Sequence, residues 1–407
     1  MIINSELLNT LSEEYGDAYY LLDSEQFKKN CIALVNSFQS IYSKFGFAYS
    51  YKTNYIPALV QIVNELGGFA EIVSEMELDI ALKSGVYPEK IIWNGPIKNA
   101  LRVKELLLLG GIVNIDSIFE VDIILAIAKE YPDKNLKVGI RCNFDVGDGV
   151  ISRFGFDTEG KDFEEAIKRL TLRSNINVVG FQAHFAKRSP DFWTERAKGM
   201  INLYDRLSSE HNLKLMYLDL GGGIYGNMPD DLRAQLNIGR ISFDDYSSKA
   251  ATVFKERFSS ATDAPYLLIE PGTALAGDSM KFVSRVETFK TVRNKYIATA
   301  MGSQKNIGMQ GLNPPLEVFP CGNVQQQYEN LDIAGYTCIE SDYLYKGFNG
   351  KLAQGDYLVF SNCGSYSVVM KPPFILPNFP IIDICGNKVQ LIKRAETFDD
   401  LFQTYFF

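Results

Sequence analysis

Short apolar runs alternate with longer segments of helical periodicity along the first two thirds of the chain. The runs are apolar on both faces, as in strands buried on both sides of a sheet. The segments between them, such as "IPALVQIVNELG" and "LRVKELLLLG", space their apolar residues as amphipathic helices do. The pattern predicts eight strands, at 45–51, 68–73, 90–94, 111–116, 136–142, 176–185, 215–220 and 266–270.

Eight strand–helix units in a row predict an α/β fold, a closed parallel (β/α)8 TIM barrel, with an open doubly wound sheet as the alternative. A barrel alone needs about 250 residues, so the 407-residue chain has room for a second domain.

After about residue 275 the pattern changes to short alternating runs without long helices, including "KFVSRVETFK", "DYLVFS" and "YSVVM". This predicts a mostly β C-terminal domain, a β-barrel or sandwich. The early run "AYYLLD" precedes the first barrel strand, and we expect it to pair with that domain. The predicted division is an N-terminal segment at 1–27, a barrel at 28–275 and a β domain at 276–407.

Charge and composition exclude several classes of partner. The net charge of -8 disfavours nucleic-acid binding, which depends on clustered Lys and Arg. No run reaches the roughly 18 to 20 apolar residues of a membrane span. The start "MIINSELLNTLSEEYG" lacks the basic and apolar regions of a secretory signal. We expect a cytoplasmic protein without a nucleic-acid or membrane partner.

The stretch "TCIESD" places the thiol of Cys338 beside two carboxylates, which leaves four readings: metal ligand, nucleophile, disulfide half or proton donor. The six cysteines are far apart, with no CxxC, and the chain has only two histidines. The spacing therefore disfavours a metal site and a disulfide.

Polar residues end the predicted strands, where the reactive face of a barrel lies. They are Lys52, Ser74, Asn94, Arg141, His184, Gly221 to Gly223 and Glu270. Lys52 could extend to solvent or, if desolvated, form a Schiff base with an aldehyde cofactor. His184 could be a core histidine. A buried Glu270 needs a cationic or N–H partner, and Arg141 is a candidate.

The stretch "LDLGGGIYG" contains GxGxxG, but a dinucleotide fingerprint would follow an early strand. After the seventh barrel strand, the same backbone amides suit a phosphate.

A set of short motifs is spread along the chain: "YSYKTN", "AEIVSEMEL", "NIDS", "GIRCN", "SRFGF", "AHF", "DLGGG", "EPG", "TCIESDYL" and "GSYSVVM". Taken together, they resemble the pyridoxal-phosphate decarboxylases of the alanine racemase-like fold, the diaminopimelate and ornithine decarboxylase family. The resemblance covers nearly the whole chain. It implies a barrel followed by a β domain, pyridoxal 5'-phosphate as cofactor, an amino-acid-like substrate and a homodimer with shared active sites.

The resemblance also implies roles for individual residues. Lys52 would form the Schiff base with the cofactor, and Glu270 would face its pyridine nitrogen. Racemases of this fold have an arginine there, so a glutamate favours decarboxylation. The other implied cofactor contacts are Glu71, Arg141, His184, which would stack on the ring, and Gly221, Gly222, Gly223 and Tyr366 at the phosphate. A racemase or epimerase, and a non-catalytic homologue that binds a protein, are the alternatives.

In this family Cys338 would return a proton to the substrate carbon. If Glu340 and Asp342 are near in space, their charges would raise the pKa of the thiol, which favours a proton donor over a thiolate.

The chain departs from the family at the phosphate and substrate positions. Lys187 replaces a serine and Thr273 an arginine. Lys187 or Arg188 could restore the missing positive charge or hold an anionic substrate group. Ile339 stands where relatives have an acid, and 298–311 lacks the usual charged residues. These departures predict a specialised substrate rather than ornithine or diaminopimelate, contacted by Lys187, Arg188, Ile339, Glu340 and Asp342.

Overall fold

The computed structural model describes residues 1–259, 261, 263–309, 311–386 and 388–407. The chain forms two compact units. The β-rich unit contains residues 1–27, 227–240 and 275–407, and the barrel unit contains residues 28–226 and 241–274. The chain begins in the β-rich unit, with helix α1 (Ser5–Tyr15) and strand β1 (Ala18–Leu22).

The barrel unit confirms the predicted closed barrel. Its parallel strands pair in the ring β2-β3-β4-β5-β6-β8-β9-β10, which closes where β10 pairs with β2. The strands are β2 (Phe45–Ser50), β3 (Phe69–Ile72), β4 (Ile91–Trp93), β5 (Ile112–Ile115), β6 (Leu136–Asn143), the short β7 (Phe156–Asp157) beside β6, β8 (Ile176–Gln182), β9 (Tyr217–Asp219) and β10 (Tyr266–Ile269).

Helices follow the barrel strands as the periodicity predicts. Their bounds are α2 (Ser24–Gln39), α3 (Pro57–Glu65), α4 (Glu75–Lys83), α5 (Ala100–Leu108), α6 (Ile118–Glu130), α7 (Lys161–Thr171), α8 (Trp193–His211), α9 (Asp230–Gln235), α10 (Phe243–Phe258) and α11 (Thr273–Ala276). Helix α7 illustrates why the periodicity predicts these helices. Its apolar residues Phe163, Ala166, Ile167 and Leu170 recur at helical spacing and are all buried.

The interior of the barrel is filled by side chains that need small neighbours. A Cβ atom at Gly180 would overlap the ring of Tyr217, and one at Gly139 would overlap the amide of Asn114. Glycine at both positions leaves space for a large aromatic ring and a polar side chain inside the barrel. This packing places Tyr217 and Asn114 below the strand ends that carry the polar residues.

The β-rich unit is built on one mixed sheet of nine strands. Strand β1 lies between β11, to which it is antiparallel, and β17, to which it is parallel. The N-terminal segment therefore joins the β sheet as predicted. The remaining elements are β11 (Met280–Val292), β12 (Lys295–Ala300), α12 (Gln304–Ile307), β13 (Leu316–Phe319), β14 (Gln326–Ala334), β15 (Tyr343–Leu352), β16 (Tyr357–Phe360), β17 (Ile381–Cys385), β18 (Lys388–Lys393) and α13 (Phe398–Phe402).

Two details differ from the sequence analysis. The run "YSVVM", predicted as a strand, forms turns, because Tyr366 adopts a φ of 55° and the Lys371 N–H donates to the Ser367 carbonyl. Residues 227–240, placed within the barrel range from sequence, group with the β-rich unit. There Gln235 and Asn313 exchange two hydrogen bonds, of 2.8 and 2.9 Å.

Candidate functional site

Lys52 lies just after β2, in a single helical turn at Tyr51–Thr53. Its Nζ is 2.5 Å from Oε2 of Glu71, which lies near the end of the neighbouring strand β3. Ser50 Oγ donates to the same oxygen at 2.7 Å. Burial alone would raise the pKa of Glu71, but the ammonium of Lys52 and the hydrogen bonds outweigh burial and lower it. Glu71 is therefore an anion that holds the Lys52 amine at the strand end.

Asn94 connects this ion pair to Glu270. Its amide nitrogen donates to Glu71 Oε1 at 3.0 Å and to Glu270 Oε1 at 2.5 Å. Gln182, at the end of β8, donates to the same Glu270 oxygen at 3.1 Å. Two amides thus donate to Oε1 of Glu270, while Arg141, the candidate partner, pairs with Asp116 instead. The structure brings Lys52, Glu71 and Glu270 into one buried network.

The network continues down into the barrel through residues that the sequence analysis missed. Asn114 donates to Asn94 Oδ1 at 2.7 Å, and the Tyr217 hydroxyl donates to Asn114 Oδ1 at 2.6 Å. Both side chains are buried. The signal that could have found Asn114 is a polar residue inside an apolar strand, which requires a hydrogen-bonding partner.

Glu270 and Asp219 are two buried carboxyl groups in contact. Burial raises the pKa of each, and the charge of Asp219 raises the pKa of Glu270 further. Asp219 Oδ1 accepts a hydrogen bond from the Gly221 N–H at 2.9 Å. Among the described residues, Asp219 Oδ2 has no hydrogen-bond donor unless Glu270 is protonated. A proton on Glu270 satisfies that oxygen and avoids two adjacent buried charges. Glu270 is therefore more readily protonated than an ordinary glutamate.

His184 follows β8, close to the glycine loop. Burial, together with the charges of Lys52 and Arg141, lowers its pKa to about 3. The imidazole is consequently neutral at physiological pH, which suits stacking on a ring better than ion pairing. Arg141 is buried and pairs with Asp116 at 3.2 Å, and its guanidinium lies 4.5 Å from the ring centre of Phe154.

The glycine loop approaches other backbone closely. Gly221 and Gly223 have φ angles of 71° and 86°, in the left-handed region that favours glycine. A Cβ at Gly222 would lie 2.6 Å from the Glu270 carbonyl oxygen, and one at Gly221 would overlap the Ala183 carbonyl. The loop is a backbone cradle of the kind that binds phosphate. The cradle, the amine of Lys52 and the acid of Glu270 fit pyridoxal phosphate.

Lys187 and Arg188, predicted to contact substrate, have exposed side chains. Their carbonyl groups point to the protein: Arg196 donates to the Lys187 carbonyl, and the Tyr246 hydroxyl donates to the Arg188 carbonyl at 2.8 Å. Thr273 begins α11 and is half-buried. Arg196 was not among the predicted site residues, since nothing in its local sequence marks it.

The remaining predicted residues lie in the β-rich unit. Cys338, Ile339 and Glu340 are exposed in the loop that joins the antiparallel strands β14 and β15. Tyr366 is half-buried in the left-handed region. Gln310, in the segment 298–311, lies outside the described residues.

Asp342 has a structural environment that its predicted role did not anticipate. It is buried, and its carboxylate accepts hydrogen bonds from Ser303 Oγ, the Gln304 N–H and Thr337 Oγ1. These three bonds engage both oxygens. The structure therefore gives Asp342 a role in shaping the Cys338 loop and does not support direct substrate contact.

Within the described residues, no group of three or more His, Cys, Asp or Glu side chains could hold a metal ion. Across the same part of the chain, no helix is long and apolar enough to cross a membrane.

Comparison with known proteins identifies the family. Residues 26–277 match the family model described as "Pyridoxal-dependent decarboxylase, pyridoxal binding domain". The chain is 26% identical to the diaminopimelate decarboxylase of Methanothermobacter thermautotrophicus, covering 96% of this chain and 92% of the relative. It is 24% identical to the diaminopimelate decarboxylase of Bacillus subtilis, with the same coverage of both proteins.

Solved structures share the fold. The diaminopimelate decarboxylase of M. jannaschii superposes with a TM-score of 0.85 at 23% identity, over 98% of this chain and 94% of that protein. The arginine decarboxylase of Paramecium bursaria Chlorella virus does so with a TM-score of 0.76 at 19% identity, over 94% of this chain and 100% of that protein. The family match covers more than half of the chain. The chain therefore belongs to the pyridoxal-dependent decarboxylase family, as an amino-acid decarboxylase whose cofactor is pyridoxal 5'-phosphate.

Proposed function

We propose that this protein decarboxylates an α-amino acid at the strand ends of its barrel, with Lys52 as the residue that holds the cofactor. One observation carries the proposal: Lys52 and Glu270 are joined through Glu71 and Asn94 in a single hydrogen-bond network, in which the two carboxyl groups and the amide are buried. An amine and an acid fixed in this way match the two ends of a pyridoxal ring.

The bound cofactor supplies an electron sink for the electron pair left on the α-carbon when carbon dioxide departs. Glu270 would hold a proton at the ring nitrogen, and burial, which raises its pKa, favours its protonated form. Glu71 keeps the Lys52 amine oriented. Neutral His184 would cover the ring face, which excludes water without adding a competing positive charge.

Cys338 is our candidate for the acid that returns a proton to the α-carbon. The thiol is exposed on a loop whose shape is set by Asp342. In a C338A variant we expect normal cofactor binding and a loss of turnover of about 10² to 10⁴, the range typical of a general acid. Full activity in C338A would remove Cys338 from the mechanism.

The substrate we infer first is diaminopimelate, because the relatives cited above are diaminopimelate decarboxylases. This inference runs against the specialised substrate expected from the sequence. A second candidate, a conjugated or modified amino acid, is favoured by one observation: Ile339, next to Cys338, is 45% exposed and offers an apolar surface where an acid was expected.

Release of carbon dioxide from a panel of amino acids separates the two candidates. The panel should contain diaminopimelate, ornithine, lysine, arginine and N-acylated diamino acids. An I339E variant provides the matched test. If the substrate is diaminopimelate, the added acid should leave or improve its turnover, and a conjugated substrate should lose affinity.

The role of Lys52 is tested by reduction with borohydride followed by peptide mapping. We expect the reduced cofactor on Lys52 and a loss of the visible absorbance of the purified protein. A label on any other lysine would overturn the assignment of the site.

We also propose a homodimer with shared sites. Exposed apolar side chains lie on first helical turns and loops after the barrel strands, a surface that suits a partner. They are Met76, Ile97, Leu101, Phe119 and Ile151. Co-expression of K52A with C338A should restore up to roughly a quarter of wild-type activity, because half of the dimers would be mixed and each would have one intact site. Absence of any recovery would contradict shared sites.

A further inference from the structure

Arg196, on helix α8, is fully buried beneath the glycine loop. Its NH1 donates to the Gly222 carbonyl at 3.1 Å, and its NH2 donates to the Lys187 carbonyl. One guanidinium therefore binds the backbone of two loops at once, which its planar fork of donors is suited to do. The two loops are Gly221–Gly223 and residues 187–188.

These contacts determine where the amide groups of both loops point. In a trans peptide the carbonyl and the following N–H point in opposite directions. With the Gly222 and Lys187 carbonyls turned towards Arg196, the N–H groups of Gly223 and Arg188 turn away from it. Among the described residues, neither N–H donates to a protein group. Two amide donors are thus left available on the side away from helix α8.

Arg196 also brings a buried positive charge to the two loops, and the carboxylate of Asp148 stabilises that charge only in part. Within the described part of the chain its Nε has no hydrogen-bond partner. Its guanidinium lies 5.0 Å from the ring centre of Phe185 and 4.9 Å from that of Trp193. A buried charge that is only partly compensated is further stabilised by a nearby anion. The phosphate of the cofactor is such an anion.

We propose that Arg196 is the positioning residue of the phosphate subsite: it holds both loops with their N–H groups towards the phosphate and supplies positive charge from behind them. The positive charge that the family resemblance led us to expect near the phosphate at positions 187 and 273 thus comes from Arg196 on helix α8. This inference rests on the proposed function, since it takes the glycine loop as the phosphate site.

The test compares the affinities of the cofactor-stripped full chain for pyridoxal phosphate and for pyridoxal, which lacks the phosphate. An R196M variant should bind pyridoxal phosphate about tenfold more weakly while its affinity for pyridoxal stays unchanged. The matched control is R206M, because Arg206 lies on the same helix and also binds a carbonyl, that of Thr158. R206M should keep the wild-type ratio of the two affinities.

An R196K variant provides a second measurement in case R196M does not fold. It retains the charge but cannot reproduce the planar fork, so the ratio should fall about threefold. A wild-type ratio in R196M, or in R196K where R196M does not fold, overturns the inference. If borohydride still labels Lys52 in that case, only the inference fails. If the label lies elsewhere, the proposed function fails.

Discussion

The corner between β3 and α4 and the corner between β5 and α6 are built alike, yet they treat a buried glutamate differently. In each, a serine begins the helix, and a glutamate three residues later accepts the N–H of the residue before that serine. Glu77 accepts the Val73 N–H at 2.6 Å, and Glu120 accepts the Asp116 N–H at 2.6 Å. The same local sequence pattern produces both turns.

The difference is one cation. Both oxygens of Glu120 lie 2.9 Å from Nζ of Lys98, whose side chain is 1% exposed. In the described chain Glu77 has no ion pair, and burial together with the charge of Glu71 raises its pKa to about 7. A buried carboxylate with a partner is part of the framework. Without one, the same group changes its protonation near physiological pH, close to Lys52.

The strongest way to break this comparison is to remove the cation. A K98M variant leaves Glu120 buried and unpaired, and we expect a loss of about 3 to 5 kcal/mol in the free energy of unfolding. Urea denaturation measures it. The double variant K98M/E120Q should recover most of the loss, because no charge is then stranded. An undiminished stability in K98M would show that Glu120 does not depend on Lys98.

A second prediction concerns Glu77. Its pKa is higher in the folded chain than the ordinary value of 4.5, so the stability that protonation contributes is full below pH 4.5 and is lost as the pH rises through about 7. Between about pH 5.5 and 8 the wild type should lose about 2 kcal/mol relative to E77Q. Urea denaturation of both proteins across this range is the measurement. Parallel pH profiles would contradict it.

Lys371, in the β-rich unit, is a buried cation that, like Glu77, has no ion pair within the described residues. It is buried, its Nζ finds no hydrogen-bond acceptor in the described chain, and it lies 4.9 Å from the ring centre of Phe379. Burial lowers its pKa to about 8. The folded chain therefore releases this proton before the unfolded chain does. As the pH rises from about 8 to 10, wild type should gain about 1 to 2 kcal/mol relative to K371M. Thermal unfolding of both proteins tests the gain.

The smallest expected effect on the free energy of unfolding concerns the two serines that begin α4 and α6. Ser74 Oγ accepts the Glu77 N–H at 3.2 Å, whereas Ser117 makes no such bond at the start of α6. S74A should lower the free energy of unfolding by about 1 kcal/mol and S117A by much less. Equal losses would mean that the two corners are capped in the same way.

The barrel could be predicted from sequence because each of its strands is a separate apolar run and each helix has its own periodicity. Lys52, His184 and Glu270 could be found because strand ends converge in this architecture. The partners of Glu270 could not, since Asn94 and Gln182 meet it only through barrel closure, across strands far apart in the chain.

Other failures have local causes. The run "YSVVM" alternates like a strand, but a left-handed Tyr366 interrupts it, and no residue type there signals that angle. Arg196 sits on a helix that otherwise has an ordinary pattern, and its burial depends in part on the glycine loop, which follows β9 in the next unit of the barrel. Long-range backbone contacts of this kind leave no mark in a single sequence.

Asn94 uses every polar atom it has: its nitrogen serves Glu71 and Glu270, and its oxygen accepts from Asn114. The two carboxyl groups and the Lys52 amine consequently share protons as one system. Binding of pyridoxal phosphate should then be accompanied by uptake or release of a fractional number of protons, which varies with pH. Calorimetry in buffers of different ionisation enthalpy would report that stoichiometry.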